Sequence, residues 1–261
     1  MDISVCMITC DNERTVERAL KSVKPWASEI IVVDSFSSDA TMEIIGRYTD
    51  NVEQRPWPGF CDQYNYCISK AVNDWVVFID ADEEISPGLA SEMQQRIQGD
   101  KGLYDGYIVH RRTFYLGRWI MHGGWVPDRE IRLFKKSRGA FMGGLHANVR
   151  VKGRAGELSR VYHHYNYRDI ADQIDTINRY SGVAAHDMQA TGKGFSWMAL
   201  ILRPPFRFIK EYFFKLGFMD GMPGFIIAVS TMYYVFIKYA RVWELENAPE
   251  QGEDNGLQTK L

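Results

Sequence analysis

The sequence predicts an α/β fold, a mostly parallel sheet with flanking helices, followed by a C-terminal helical region suited to contact with a membrane. Three observations carry this reading. Short apolar runs alternate with helix-like stretches over the first hundred residues or so, the pattern of strands joined through crossover helices. Two of those runs, Ile30-Ile31-Val32-Val33-Asp34 and Val76-Val77-Phe78-Ile79-Asp80, end abruptly in an acid, as strands do where they emerge into a ligand crevice. Beyond residue 165 the texture changes to a polar helical pattern and then to a stretch dense in aromatic and basic side chains.

In order, residues 3–9 read as a first strand and residues 12–23 as a helix with Val16, Ala19, Leu20 and Val23 on one face. Residues 30–34 form a second buried strand. Ser35-Phe36-Ser37-Ser38-Asp39 supplies turn and cap chemistry before a helix over residues 40–48. A short strand at 51–54, a helix at 59–72 and a fourth strand at 75–80 follow. Residues 104–114 and 131–134 are further strands, with glycines and aromatics crowding the loop between them. Residues 1–165 are thereby expected to form one nucleotide-type α/β domain, 166–245 a helical region and 246–261 a disordered tail.

With 261 residues the chain is long enough for a substantial core, and a net charge of −2 argues against nucleic acid as a partner. Cys6, Cys10, Cys61 and Cys67 have neither zinc-ribbon spacing nor the density of a disulfide framework, so they read as reduced packing thiols. Met1 leads directly into a strand-like run without a basic segment, so no secretory signal is expected and the chain is expected to stay in the cytoplasm.

The chemistry concentrates at Asp80-Ala81-Asp82-Glu83-Glu84. Two carboxylates two residues apart share one face of an extended backbone and repel unless a cation joins them. A hard divalent ion, Mg²⁺ or Mn²⁺, bound to a diphosphate fits, because such ions prefer oxygen and take one or two protein carboxylates. The plainer alternative is a strand followed by a solvated helix start, with Glu83 and Glu84 at the positive end of the helix dipole.

Ser4 to Thr9 followed by Asn12-Glu13, the run Glu29 to Thr41, and Asp80-Ala81-Asp82 together resemble the family 2 inverting glycosyltransferases of GT-A fold, a Rossmann-like architecture. The likeness is strongest to the lipopolysaccharide inner-core β-glucosyltransferase group. It extends through Trp57-Pro58-Gly59-Phe60, Gln63 with Asn65, Trp125-Val126-Pro127-Asp128-Arg129, Arg132-Leu133-Phe134, Gly217 to Gly221 and Lys238 to Glu244. The resemblance implies that Thr9 and Asp34 contact the base and ribose of a UDP-sugar, that Asp80 contacts ribose or sugar, and that Asp82 binds the metal. Asp34 has a turn-cap role as its alternative, and Asp39 reads as the cap of the next helix. Gln63 and Asn65 have the polarity to read the donor, and Arg129 and Arg132 are candidate diphosphate clamps, since guanidinium matches phosphate oxygens in pairs.

Inversion needs a base on the acceptor hydroxyl. Relatives commonly carry His followed by an acid after the Arg-Leu-Phe strand, whereas this chain has His146-Ala147. Alanine accepts no proton, which leaves Asp128 as the first candidate and His146 as the second. Pairing of Asp128 with Arg129 or Arg132 is the alternative to its catalytic role. His163-His164 points to opposite faces of a strand and suggests a structural or acceptor-side role, while Trp57, Trp119 and Trp125 are either sugar platforms or core indoles.

The implied reaction moves a hexose, glucose from UDP-glucose by resemblance, to a lipid-anchored glycan such as an inner-core heptose. A polyprenyl-linked, capsular or polypeptide acceptor is the alternative within the enzyme class, and a nucleotide-sugar-binding protein without turnover is the alternative outside it. The uncharged run 222–237 is shorter than the roughly 20 apolar residues that span a bilayer. Arg203, Arg207, Lys210, Lys215, Lys238 and Arg241 surround it, as in an interfacial helix pair. A peripheral position on the inner face of the cytoplasmic membrane is therefore expected, with a helix buried against the α/β domain as the alternative.

Overall fold

The computed structural model describes residues 2–100, 102–143 and 147–248. It divides into two compact units, the first made of the residues up to Thr113 with Asp128–Tyr165, the second of Phe114–Pro127 with the chain from Asn166 onward.

The strands are β1 (Ser4–Thr9), β2 (Glu29–Asp34), β3 (Val52–Gln54), β4 (Trp75–Phe78), β5 (Glu83–Ile85), β6 (Gly106–Tyr115), β7 (Arg118–Trp119), β8 (Asp128–Lys135), β9 (Gly139–Met142), β10 (Asn148–Val151) and β11 (Ala155–His164). The main sheet of the first unit runs β3-β2-β1-β4-β8-β6-β11-β5. Its first four strands are parallel, β8 lies antiparallel between β4 and β6, and β11 is parallel to β6.

Alternation explains why this sheet is covered on both sides. Val5 and Met7 of β1, Ile30 and Val32 of β2, and Trp75 and Val77 of β4 face one core. Cys6, Ile31, Val33, Val76 and Phe78 face the other. The first core is closed by α1 (Val16–Val23), α2 (Thr41–Gly46) and α4 (Pro87–Gly99), the second by α3 (Phe60–Ser69). In α1 the buried Val16, Ala19, Leu20 and Val23 are spaced i, i+3, i+4, i+7. A buried aliphatic side chain of this kind contributes roughly 1.5–3 kcal/mol, so packing rather than propensity holds a helix too short to persist alone. All four cysteines are free thiols, with Cys6 and Cys67 buried.

Three expectations are corrected. β4 ends at Phe78, and Asp80 to Glu83 form a turn closed by Glu83 N–H donating to the Asp80 carbonyl at 3.0 Å, so Asp80 and Asp82 do not share a strand face. Glu83 and Glu84 belong to β5, paired antiparallel with β11, instead of opening a helix; the next helix begins at Pro87 with Ser86 as its cap. Finally, β8 begins three residues earlier than the strand read at 131–134, and β9, β10 and β11 were not anticipated.

The second unit contains α5 (Ile170–Ala190), α6 (Trp197–Ile209), a π-helical turn over Lys210–Phe214, a 3-10 turn over Gly217–Asp220 and α7 (Gly221–Asn247). The Phe114–Pro127 excursion, counted with the α/β domain on sequence, belongs here. Buried Asp220 accepts from Met121 N–H at 3.0 Å and His122 N–H at 2.7 Å, and Tyr115 hydroxyl donates to Gln173. Tyr115, Ile120 and Ile227 form a small core of their own.

The apolar run at 222–237 is part of a longer helix. Gly217–Asn247 is long and apolar enough to cross a membrane by length and composition, with a mean hydropathy of 1.3. Yet Ser230 bonds Gln173 at 3.3 Å, Tyr233 bonds Asn178 at 3.3 Å and Arg241 donates to the Asn178 carbonyl, which lays α7 along the polar α5. Glu246 and Asn247, expected in the tail, close α7, and residues 249–261 lie outside the described residues.

Candidate active site

The carboxyl ends of β1 and β2 are laced into one platform. Asp11, in the left-handed region at φ 52°, accepts Ser38 N–H at 2.7 Å; Glu13 accepts Ala40 N–H at 3.0 Å, and Asp39 accepts Glu13 N–H at 3.0 Å and Thr41 N–H at 2.9 Å. Burial alone would raise the Asp39 carboxyl, but these donors and the Thr41 hydroxyl hold it below its ordinary value. Asp39 thus closes the turn just before α2, whose N-cap position is Ala40, and is not itself the helix cap expected of it.

Beneath the platform, Asp34 is fully buried and accepts from Thr9 hydroxyl at 2.9 Å, Ser37 N–H at 2.8 Å, Ser37 hydroxyl and Gln54 amide at 3.1 Å. A carboxylate has about four lone-pair sites, and these four donors fill them. Asp34 and Thr9 therefore shape the loop after β2, and the direct base and ribose contacts expected of them are not available in this arrangement. Gln63 is likewise buried, donating to Ser35 hydroxyl at 3.0 Å and accepting from Arg55 at 3.2 Å, so it ties α3 to the same loop.

Where β4 ends, a carboxylate-rich cluster gathers. Asp128, Glu130 and Arg132 alternate along one face of β8, and Arg111 stands opposite Asp128 on β6. Arg132 is nearly buried and reaches Asp80 at 3.0 Å, Glu83 at 2.8 Å and Glu130 at 2.8 Å. Arg111 binds Asp128 Oδ2 through Nε at 2.7 Å and Nη2 at 2.6 Å, and lies 3.5 Å from Glu83. At the end of β11, His164 Nε2 is 3.3 Å from Asp82 Oδ2, and its Nδ1 is 3.3 Å from the Thr113 hydroxyl.

The electrostatics follow. Burial opposes ionisation of Asp82, yet His164 beside it holds the carboxyl below its ordinary value; burial opposes protonation of His164, yet Asp82 raises it. Burial pushes the Glu83 carboxyl up despite Arg132. Arg132 draws Glu130 down. Five carboxylates, Asp80, Asp82, Glu83, Asp128 and Glu130, are met by two guanidiniums and one imidazole, so acids outnumber cations even with His164 charged. Asp80 and Asp82, each about a quarter exposed at 28% and 27%, carry that surplus to the surface.

Several expected residues are placed elsewhere. Arg129 points to the opposite face of β8 and pairs with Glu157 at 2.9 Å, as strand alternation requires. It is no partner of the Asp80–Asp82 cluster. Arg132 is no free diphosphate clamp, since its reach is spent on three carboxylates; deleting one partner of such a buried pair generally costs about 3–5 kcal/mol. Asn65 clamps Phe141, donating to its carbonyl at 3.0 Å and accepting from its N–H at 2.9 Å, a bond to β9 rather than to a ligand. Trp57, Trp119 and Trp125 each meet a neighbouring aromatic ring edge-to-face. Ala147 packs against the second core, and His146 lies outside the described residues. Arg111, Glu83, Glu130 and His164 were not read as site residues from the sequence.

A divalent ion can be tested against this donor set. Among the described residues, no group of three His, Cys, Asp or Glu side chains forms a ready metal cage. Asp82 offers an oxygen from a partly exposed position and buried His164 a nitrogen once the ion displaces its proton, a pair that suits an ion completing its shell with diphosphate oxygens and water.

Residues 4–164 match the family described as glycosyl transferase family 2. An uncharacterized glycosyltransferase of Rickettsia typhi is 30% identical over 254 residues, 93% of this chain and 87% of its own. The lipopolysaccharide core biosynthesis glycosyltransferase LpsC of Rhizobium meliloti is 25% identical over 258 residues, 94% of this chain and 93% of its own. Among solved structures, Staphylococcus aureus TarS 1-349 superposes with a TM-score of 0.46 at 15% identity, covering 94% of this chain and 91% of that one. A sheet covered on both faces, an acidic cluster at its carboxyl ends and a match spanning the whole first unit lead to one conclusion: the chain belongs to glycosyl transferase family 2 and is a glycosyltransferase of GT-A fold.

Proposed function

We propose that the chain transfers a hexose from a UDP-sugar, glucose by resemblance, with inversion and with a divalent cation, to a lipid-anchored glycan at the inner face of the cytoplasmic membrane. The observation that carries the donor half is the acid surplus around Asp80 and Asp82, which a cation or a cation-bound diphosphate relieves. The acceptor half is supported by the kinship with LpsC, a lipopolysaccharide core biosynthesis glycosyltransferase, and an inner-core heptose is the acceptor proposed from the family resemblance.

In this reading Asp82 and His164 hold the ion, and Arg132 and Arg111 keep the remaining carboxylates together before it arrives. Bound there, Mg²⁺ or Mn²⁺ offsets the charge that develops on the leaving diphosphate. Asp80, held at Oδ2 by Arg132, faces the sugar side of the donor. Asp128 takes the proton of the acceptor hydroxyl; its contacts with Arg111 fall on Oδ2, which leaves Oδ1 for the acceptor.

The test is calorimetric titration of UDP and of UDP- and GDP-sugars with and without Mn²⁺. Mn²⁺ is expected to strengthen UDP binding, and Asp82→Ala to lose that increment while its circular dichroism stays that of the parent. A folded Asp82→Ala protein with the full Mn²⁺ increment would remove Asp82 from the metal site, and equal affinity for GDP-sugars would remove the uridine assignment.

A further inference from the structure

In the proposed reaction Asp80 faces the sugar of the donor, and one anchor does not orient a carboxylate. The outer torsion of an aspartate side chain is broad and roughly two-fold. Arg132 holds Oδ2 at 3.0 Å, which fixes one oxygen and leaves the plane of the group to be set by something else. That second anchor comes from α3. Tyr64 hydroxyl donates to Asp80 Oδ1 at 3.4 Å, a long bond made to a charged acceptor. Asp80 N–H donates to Glu83 Oε2 at 3.0 Å, so the backbone of the same residue is tied as well.

Tyr64 is itself held on several sides. Its ring lies 4.6 Å from that of Phe78, at the end of β4, and 4.3 Å from that of Phe141, in β9. Cys61, Tyr64 and Asn65 are spaced i, i+3, i+4 on one face of α3. Cys61 thiol donates to the Gly143 carbonyl at 2.9 Å, and Asn65 takes both backbone bonds of Phe141, so this face is fastened along β9. Phenylalanine would pack in the same place. What the hydroxyl adds is the bond to Asp80, its partner among the described residues. Burial first, and then the Asp80 charge, push the phenol above its ordinary value, so it remains a donor at neutral pH. A carboxylate has about four lone-pair sites. Tyr64 and Arg132 fill one on each oxygen, and Asp80 is 28% exposed, so an unfilled site is open to the crevice.

We propose that Tyr64 is a positioning residue, whose hydroxyl sets the plane of the Asp80 carboxylate so that its open lone pair meets a hydroxyl of the donor sugar. This rests on the donor reading, in which Asp80 serves the sugar and not the nucleotide.

The full-length protein is titrated calorimetrically with UDP and with UDP-glucose, both in Mn²⁺, as parent, Tyr64→Phe, Asp80→Ala and the double variant. Tyr64→Phe is expected to leave UDP affinity within about two-fold of the parent and to weaken UDP-glucose by about 10-fold, the lower end for a hydrogen bond to a charged group. Asp80→Ala is expected to weaken UDP-glucose at least as far, and Tyr64→Phe to add nothing in that background. Equal weakening of UDP and UDP-glucose by Tyr64→Phe would overturn the proposal, because the ring or α3 would then be the cause. So would unchanged UDP-glucose affinity, or the same loss with and without Asp80. If Asp80→Ala does not fold, Asp80→Asn replaces it, and the UDP-to-UDP-glucose comparison in Tyr64→Phe alone still decides. The donor reading is judged separately: a folded Asp80→Ala protein with full UDP-glucose affinity would sink it, and the proposal with it, whatever Tyr64→Phe does. An intact Asp80 effect beside a silent Tyr64→Phe would sink the proposal only.

Discussion

Asp128 is where the chemistry is most exposed to test, because its carboxylate is both an ion-pair partner and the proposed base. Asn in its place keeps an oxygen near Arg111 but cannot take a proton, so Asp128→Asn is expected to lower turnover by about 10²–10⁴, the usual worth of a general base. Metal-supported UDP affinity should change little, and Asp128→Glu should recover part of the rate. A variant with unchanged turnover and only a raised KM would leave Asp128 as an organiser of Arg111. The residues around it show what a sequence yields and what it withholds. Asp80 and Asp82 stand out because acids directly after an apolar run mark the end of a buried strand at a crevice. Arg111, Glu130 and Arg132 do not, since their shared face is evident only once β8 is known to start at Asp128 and to pair with β6 in the observed register. Reading that strand from residue 131 hides the alternation and makes Arg129 look equivalent to Arg132.

At the scale of elements, β11 is the strand the sequence concealed, and the reason is a bulge. Its register against β6 shifts between Glu157 and Val161, which interrupts the two-residue period by which a strand is recognised. The N–H groups left without strand partners are taken up by α4: Glu92 accepts Ser159 N–H at 2.8 Å and Arg160 N–H at 2.9 Å. Burial alone would raise the Glu92 carboxyl, but these bonds hold it below its ordinary value. The sign follows from linkage: a carboxyl depressed in the folded state adds stability above its unfolded pKa, and that stability disappears as pH falls through the folded value. Glu92→Ala is therefore expected to cost about 1.5–3 kcal/mol at pH 7, the range for hydrogen bonds to a charged group, and less on acidification. Urea denaturation at pH 7 and below pH 4 checks this; a loss that is the same at both would mean that the carboxylate charge contributes nothing. Because β11 carries His164 to Asp82, the variant should also weaken the Mn²⁺ increment in UDP binding. The parallel half of the sheet was legible by contrast, since β1, β2 and β4 are uninterrupted apolar runs buried on both faces.

For the whole molecule, the informative feature is that the second unit is not a simple C-terminal addition. A boundary at residue 165 is visible in composition, but Phe114–Pro127 looks like one more loop of the first domain because nothing local in it names its partners. Those partners are distant in sequence: Gln173 for Tyr115, Asp220 for Met121 and His122, and the Lys215 carbonyl for Gly123 N–H at 2.9 Å. Ending the chain at Tyr165 would strip the cover from Tyr115 and Ile120, each 1% exposed in the intact protein, and leave an apolar loop in water. Such a chain is expected to aggregate and to bind a hydrophobic dye strongly. Because Arg111 and Asp128 are directly opposite in the β6–β8 pair, replacing Phe114–Pro127 with Asn-Gly leaves the four-residue connection Arg112-Thr113-Asn-Gly, a length that closes a hairpin. The chain that ends at Tyr165 and carries this replacement is expected to be soluble and to bind UDP within a few-fold of the parent. It should lose sedimentation with anionic vesicles. If both truncated chains aggregate alike, the first unit depends on the second for stability beyond the excursion; if both are soluble, the excursion does not need the cover that its buried rings imply.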